Sequence, residues 1–470
     1  MPLPIISVSQ MRDWEDRTVR SGVPEQSVMQ LAGQCLSEYI LQLTKSGQLV
    51  FFLAGKGNNG GDARIAANQI PDRKVSLLSV EDAGDCLDGL IRCLADKPAL
   101  IVDGLFGIGL NRSLDDKWVE FISKINLSSA KVLAVDCPSG LNCDTGLIMG
   151  GAVRADVTLT FGAPKIGLIR DTAADYVGSI FVAPEIGLLD ELPKSESYWL
   201  TDADMKCVLS PRPADSHKGS YGHVSLIAGS TGYHGAALLS ARSSLMARPG
   251  LVSIFTHSYL PVACQIQSAM VHPLGKDCVE ALSKSTAILI GPGLAGKDIP
   301  DSTRQLTRNL WRESANPIIV DASALDWICD INPEGTAPRV ITPHPGEAAR
   351  MLDCKVSYIQ ENRNESAKNL ARNYGATVVL KGRHSVIAQE EGPVLINSTG
   401  NSGLAQGGSG DILSGYIAGM LAQPNYRENV VEAIAYSVWK HGRSAERLAL
   451  RGQSWGMEQL IDEIGCMDFD

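Results

Sequence analysis

Short apolar runs recur along the first part of the chain, at Leu49–Ala54, Val75–Val80, Ala99–Val102, Val132–Val135, Val157–Phe161 and Ile180–Val182. Gly-rich or polar turns and amphipathic stretches separate them. Each run is too short for a helix and most are rich in β-branched residues, so they predict strands. Strands that alternate with helices predict a parallel sheet covered on both faces. Ahead of the first run, Ser7 and Gln10 form a capping-box pattern for a helix to about Arg20, closed by Gly22, and a second helix is expected from Glu25 to Tyr39. The weakly periodic stretch Pro184–Ser197 reads as a connector, and a fresh series begins near Tyr198. Its predicted strands are Val224–Ala228, Leu251–Phe255, Ala287–Ile290, Ile318–Val320, Val340–Thr342 and Thr377–Leu380, with helical patterns at Gly235–Ala247, Ala405–Ala422 and Asn429–Leu450. No sequence repeat relates the two series. The expected fold class is α/β, as two unrelated three-layer α/β/α domains, 1–195 and 196–470.

Length supports the division, because 470 residues exceed the roughly 250–300 at which single hydrophobic cores stop growing. A net charge of −10 gives no electrostatic reason to expect nucleic acid or an anionic membrane as partner. The N-terminus carries no basic stretch followed by an apolar segment, and nowhere do apolar residues run long enough to span a membrane. The 11 cysteines contain no CxxC pair, so neither a zinc site nor a disulfide framework is expected and a reducing cytoplasm fits best. All 8 histidines lie between His217 and His441, so any chemistry in the first half works without imidazole.

Candidate chemistry clusters at predicted strand ends. Leu53-Ala54-Gly55-Lys56-Gly57-Asn58-Asn59-Gly60-Gly61-Asp62 joins the first strand to a helix, where converging backbone amides suit an anion. A tight turn is the plainer reading, but the two Asn and the Asp add oxygens that a turn does not need. Asp103 opens DGLFGIGLNR, Asp136 opens DCPSGLN, and Phe161-Gly162-Ala163-Pro164-Lys165 adds a lysine. Ligands of open parallel sheets bind at the carboxyl ends of strands, so these segments can share one crevice. A single Asp there also serves as a cap or turn former.

In this order, NNGGD, DxxFGxGL and DxPSGL resemble the motifs of NAD(P)H-hydrate epimerases, over nearly all of residues 1–200. The resemblance implies a Rossmann-like domain whose Asn58, Asn59, Gly60, Gly61 and Asp62 contact the hydrated dinucleotide. It implies further contacts from Gly107, Ile108, Gly109, Leu110, Asn111, Arg112, Ser113 and Asp136, and a potassium ion near Asn59, Asp103 and Ser139. Oxygen ligands of mixed charge suit such a hard, loosely held cation. The family's reaction inverts carbon 6 of the hydrated nicotinamide ring, and Asp136 is the candidate for its positioned carboxylate. Ala63 and Gln30 stand where that family usually has Gly and Glu.

In the second half, Gln406-Gly407-Gly408-Ser409-Gly410-Asp411 leads into a long apolar helix. Glycine amides and the helix dipole suit a phosphoryl group, and Asp411 is placed to take a proton from an attacking hydroxyl or, more plainly, to cap the helix. Pro343 and Pro345 hold the backbone extended around His344, while Lys381-Gly382-Arg383-His384-Ser385 puts cations beside a turn. TPHPGE together with NSTGNSGLAQGGSGD resembles the NAD(P)H-hydrate dehydratase branch of the ribokinase-like family, over roughly residues 200–470. The resemblance implies a ribokinase-like domain in which Ala236, Gly293, His344 and Asp411 hold the hydrated dinucleotide, and Lys381, Gly382, Arg383, His384, Ser385 and Gly410 hold the phosphoryl donor. It further implies ADP as donor with Mg2+, AMP and phosphate as products, and a homo-oligomer. A small-molecule kinase with a non-catalytic N-terminal binding domain is the alternative reading of the same residues.

Overall fold

The computed structural model describes residues 2–275, 278–296 and 299–466. The chain forms two compact units, Leu3–Glu196 and, for the remainder, Ser197–Asp470.

The first unit has strands β1 (Leu49–Ala54), β2 (Lys74–Ser79), β3 (Leu100–Gly104), β4 (Lys131–Val135), β5 (Val157–Phe161) and β6 (Ser179–Ala183), ordered β2-β1-β3-β4-β5-β6 and parallel throughout. Its main helices are α1 (Val8–Arg20), α2 (Glu25–Leu43), α3 (Asn58–Ala67), α4 (Ala83–Ala95) and α5 (Asp116–Asn126). The capping box at α1 forms as expected, with the Ser7 hydroxyl bound by the Gln10 amide and the Gln10 side chain by the Ser7 amide. A strand's side chains alternate in direction, so the unbroken apolar run of β1 feeds two cores. Val50, Phe52 and Ala54 pack with Leu36, Ile40, Ala63 and Ala66 on one face. Phe51 and Leu53 pack with Leu90, Phe121, Ile122 and Ile125 on the other. Helices therefore cover both faces, and the carboxyl ends of the strands stay open between them.

The second unit has strands β7 (Ser197–Trp199), β8 (His223–Ile227), β9 (Leu251–Thr256), β10 (Met270–Pro273), β11 (Ala287–Ile290), β12 (Ile318–Val320), β13 (Arg339–Ile341), β14 (Thr377–Leu380), β15 (Val386–Ala388) and β16 (Val394–Ile396). They are ordered β7-β16-β15-β14-β13-β12-β11-β8-β9-β10, with antiparallel pairing only at β14–β15 and β15–β16. Its longer helices include α6 (His234–Met246), α7 (Asp301–Glu313), α8 (Pro345–Met351), α9 (Arg363–Tyr374), α10 (Ser409–Leu421), α11 (Val430–Leu450) and α12 (Met457–Ile464). Small residues let α6 and α10 meet at backbone distance. A methyl carbon on Gly415 would lie 2.3 Å from the Ser240 carbonyl oxygen, and one on Gly419 2.5 Å from that of Ser244. The hydroxyls of Ser243 and Ser244 donate across the same seam to the carbonyls of Ile412 and Gly415, each at 2.7 Å. Gly415 thus serves helix packing.

Three expectations change. The helix expected from Ala405 begins at Ser409, because Gly408 at its N-cap takes a left-handed φ of 98°. Strands β7, β10, β15 and β16 carry no signal in the hydrophobic pattern, being only three or four residues long and set beside turns. Cys137 and Cys143 are joined as a disulfide, against the expectation of none: the turn closed by Leu141 N on Pro138 O, at 3.1 Å, brings the two back together. No described helix is long and apolar enough to cross a membrane.

Candidate functional sites at the carboxyl ends of two sheets

In the first unit the open strand ends, α1, α2 and the loop after β3 enclose a cavity of about 1020 Å³. Asn58, Asn59, Asp62 and Asp136 line it, as does the whole loop Gly107, Ile108, Gly109, Leu110, Asn111, Arg112 and Ser113. Gly60 and Gly61 lie behind this wall and act by close approach: a methyl carbon on Gly60 would stand 2.0 Å from the Gly55 carbonyl oxygen, and one on Gly61 2.7 Å from the Met29 sulfur. Ala63 is buried in the core, with Gly104 making room for its methyl group, and Gln30 is exposed.

Asn59, Asp103 and Ser139 come together beneath the loop. The Ser139 hydroxyl and amide donate to the two oxygens of Asp103 at 2.6 and 2.8 Å, and the Phe106 amide donates to the Ser139 hydroxyl at 2.9 Å. The Asn59 side-chain amide donates to the carbonyls of Val135 at 2.5 Å and Phe106 at 3.3 Å. Asp103 is fully buried, and burial raises its pKa to about 6 against the hydrogen bonds from Ser139 and Leu105.

Asp136 follows β4 with a left-handed φ of 63°, a conformation that costs energy in any residue with a side chain. One carboxylate oxygen, Oδ1, accepts from Lys165 Nζ at 2.5 Å, the Thr160 hydroxyl at 2.9 Å and the Phe161 amide at 3.0 Å. Lys165 is completely buried and also donates to the Phe161 carbonyl at 2.9 Å. Asp62 and Glu15 are among the further carboxylates that line the cavity. Asp62 is raised to about 8 by burial and by the neighbouring Asp136 and Glu15, and Glu15 on α1 is raised by burial and by Asp136.

In the second unit a polar cluster forms where β12, β13 and β14 end and α10 begins. Lys381 Nζ sits 2.8 Å from Asp321 and 3.9 Å from Glu347. Burial opposes its charge, but these two carboxylates prevail and hold the ammonium above its usual pKa. Asp411 at the start of α10 is raised to about 7, by burial first and then by Asp321, with Lys381 pulling the other way. Gly410 leaves room beside the lysine: a methyl carbon there would lie 3.3 Å from Lys381 Nζ.

His344 caps α8, its Nδ1 accepting from the amides of Gly346 at 3.0 Å and Glu347 at 3.3 Å, while Nε2 stands 3.5 Å from the Glu347 carboxylate. Gly293, at φ 67°, approaches Ala236 so closely that a methyl carbon would stand 2.9 Å from the alanine's. In the loop Lys381, Gly382, Arg383, His384 and Ser385, Gly382 leaves space for the Arg363 guanidinium, and His384 is half-buried with Nδ1 3.2 Å from the Asn397 carbonyl oxygen and its ring 4.9 Å from that of Trp199.

A family model described as NAD(P)H-hydrate dehydratase matches residues 224–464, and one described as YjeF-related protein N-terminus matches 25–88 and 77–167. The bifunctional NAD(P)H-hydrate repair enzyme of Coxiella burnetii is 34% identical over 480 residues, covering 95% of each chain. The enzyme of the same name from Escherichia coli is 34% identical over 429 residues, covering 86% of this chain and 82% of its own. The chain belongs to the bifunctional NAD(P)H-hydrate repair enzymes. It is an NAD(P)H-hydrate epimerase and an NAD(P)H-hydrate dehydratase. Among solved structures, the ADP/ATP-dependent NAD(P)H-hydrate dehydratase of Bacillus subtilis, co-crystallised with ATP and Mg2+, matches with a TM-score of 0.50 and 33% identity, covering 56% of this chain and 95% of its own. A ribokinase-like protein of Enterococcus faecalis matches at 0.52 and 26%, covering 59% and 97%.

Sequence reasoning about this repair enzyme missed Glu15 and Thr160 in the first site, and Asp321, Glu347 and His441 in the second. Glu15 sits in a helix whose periodicity marks only a core face, so nothing in the pattern singles it out. Glu347 follows His344 at the capping-box spacing, a signal that was present in TPHPGE. His441, buried beneath α10 with Nε2 3.4 Å from the Ser409 hydroxyl, is lowered to about 4 by burial.

Proposed function

We propose that the unit Leu3–Glu196 carries the epimerase and the unit from Ser197 carries the dehydratase. The observation that supports this division most strongly is that each unit gathers its own carboxylates at the ends of its own parallel strands: Asp62 and Asp136 in one, Asp321, Glu347 and Asp411 in the other. In the first, the hydroxyl at carbon 6 of the hydrated ring leaves with the help of the ring nitrogen's lone pair, and water adds to the other face. Asp136, oriented through Oδ1, holds a fixed negative charge beside the cationic ring that forms between these steps. The loop 107–113 and Asn58–Asp62 bind the dinucleotide. Asn59, Asp103 and Ser139 would hold potassium, since a buried carboxylate, an amide, a hydroxyl and the Phe106 carbonyl form an oxygen set that fits a hard monovalent cation. The ion would balance the charge of Asp103.

In the second unit, Asp411 takes the proton of the ring hydroxyl of the S epimer, and the freed oxygen attacks the terminal phosphorus of ADP, releasing AMP. Glycine amides at the start of α10 and the Lys381 ammonium stabilise the charge on the phosphoryl group. The phosphate ester then leaves carbon 6 with its bonding electrons, a proton leaves carbon 5, and the dihydropyridine returns. Ala236, Gly293 and His344 border the dinucleotide, and Lys381–Ser385 with Gly410 border the donor. Among the described residues no group of three or more His, Cys, Asp or Glu is arranged to hold a metal. Mg2+ would therefore arrive on the donor's phosphates, with Asp321 and Glu347 the nearest carboxylates.

A cytoplasmic homo-oligomer completes the reading. Nine of the 11 cysteines are free, which supports a reducing compartment, while the Cys137–Cys143 bridge closes one short turn. Turnover of the S epimer with ADP and with ATP tests the donor: a higher kcat/KM with ADP is expected, and a preference for ATP contradicts it. Mass in solution tests the assembly.

A further inference from the structure

Two of the aspartates that line the first cavity have opposite surroundings. Asp136 is pinned by an ammonium, a hydroxyl and an amide, all on one oxygen. Asp62 on α3 is only 5% exposed and lines the same cavity, and its carboxylate accepts no hydrogen bond from any described residue. A carboxylate buried without a donor is costly as an anion and takes up a proton instead. The charged groups around it reinforce this. Glu15 on α1, Glu25 on α2 and Asp136 are acidic; Arg12 and Arg112 lie along the wall, and Lys165 is already engaged with Asp136. Burial, Asp136 and Glu15 together raise Asp62 to about 8.

We propose that Asp62 is the proton carrier of the epimerase, handing its proton to the hydroxyl that leaves carbon 6 and recovering one when water adds. The inference rests on assigning epimerisation to this cavity. The carbon–oxygen bond breaks as the ring nitrogen's lone pair forms a double bond to carbon 6, and the departing oxygen takes the Asp62 proton and leaves as water. A water molecule from solvent then adds at the opposite face, and the double-bond electrons return to nitrogen. The proton shed by the new hydroxyl returns to the Asp62 carboxylate through the open mouth of the cavity. The cycle consumes no net proton and needs no oxidant or reductant. Asp62 and Asp136 then divide the chemistry, one neutral acid and one fixed anion, as paired carboxylates do when their surroundings set them apart.

The test is the pH profile of epimerisation by the full chain, with the two epimers separated chromatographically and no phosphoryl donor present, so that the dehydratase is silent. The wild type is expected to lose activity as pH rises through about 8, where Asp62 ionises. Asp62→Asn is expected to fall by about 100-fold and to lose the alkaline limb, with partial recovery and a shifted limb in Asp62→Glu. Activity of Asp62→Asn within about threefold of wild type, or a flat wild-type profile across this range, overturns the proposal; the flat profile does so even when the variants fail to fold. Wild-type protein with no epimerisation above background overturns the assignment of the cavity itself, and by that route the proposal.

Discussion

Lys165 Nζ lies 2.5 Å from Asp136 Oδ1, with the lysine wholly buried. The pair ties the strand end of β4 to the loop after β5 and fixes which oxygen of Asp136 faces the cavity. Removing one partner leaves an unpaired buried charge, a cost of about 3–5 kcal/mol. Lys165→Met is therefore expected to destabilise the first unit by that order and to abolish epimerisation. The double variant Lys165→Met/Asp136→Asn is expected to regain part of the stability and none of the activity. Urea unfolding and epimer separation check both; a Lys165→Met protein as stable and active as wild type contradicts the account.

The loop after β3 is held close to Asn59, since a methyl carbon on Gly107 would stand 2.2 Å from the Asn59 side-chain oxygen. Gly107→Ala is expected to push the amide off the potassium position and lower epimerisation about 10- to 100-fold, given how steeply rate depends on placement. Rate measured against potassium concentration checks this, with a higher half-saturating concentration expected in the variant.

Asp411 acts as a base only when ionised, and burial with Asp321 raises its pKa to about 7. The dehydratase rate is expected to rise with pH through that value and level off above it, the opposite sense to the epimerase limb at about 8. Initial rates from the purified S epimer with saturating ADP show the limb. A dehydratase rate already level well below pH 7 contradicts the assignment of Asp411.

Acid stability follows from two histidines shielded from water, His384 half-buried and His441 buried. Burial lowers His384 to about 3 and His441 to about 4, so both fold as neutral rings. Their unfolded pKa is about 6.5, so below that value the unfolded chain binds protons that the native one refuses. The second unit is expected to lose stability progressively as pH falls from 6.5 toward 4, and His441→Gln to weaken that slope. Denaturant midpoints at several pH values give the comparison.

The strands that build both cores were legible because parallel strands covered on two faces read as continuous apolar runs, as Leu49–Ala54 and Ala287–Ile290 do. The edge and return strands were not: Met270–Pro273 and Val394–Ile396 are short, lie beside turns and carry no period. Asp103 and Asp136 at strand ends, and Asp411 at a helix start, stood out by position and motif. Lys165 and Lys381 were visible as cations near the sites, but which carboxylate each one meets was not, because Lys165 and Asp136, or Lys381 and Asp321, are brought together only by the order of strands in the sheet. The disulfide between Cys137 and Cys143 escaped for a different reason, as it depends on the geometry of one turn.

Recovery of NADH absorbance from an equal mixture of both epimers, with ADP and Mg2+, tests the division of labour most directly. Wild-type protein is expected to convert the whole mixture, Asp136→Asn to convert the S half fast and the remainder only at the uncatalysed rate, and Asp411→Asn to convert none. Full conversion by Asp411→Asn, or rapid conversion of both halves by Asp136→Asn, contradicts it.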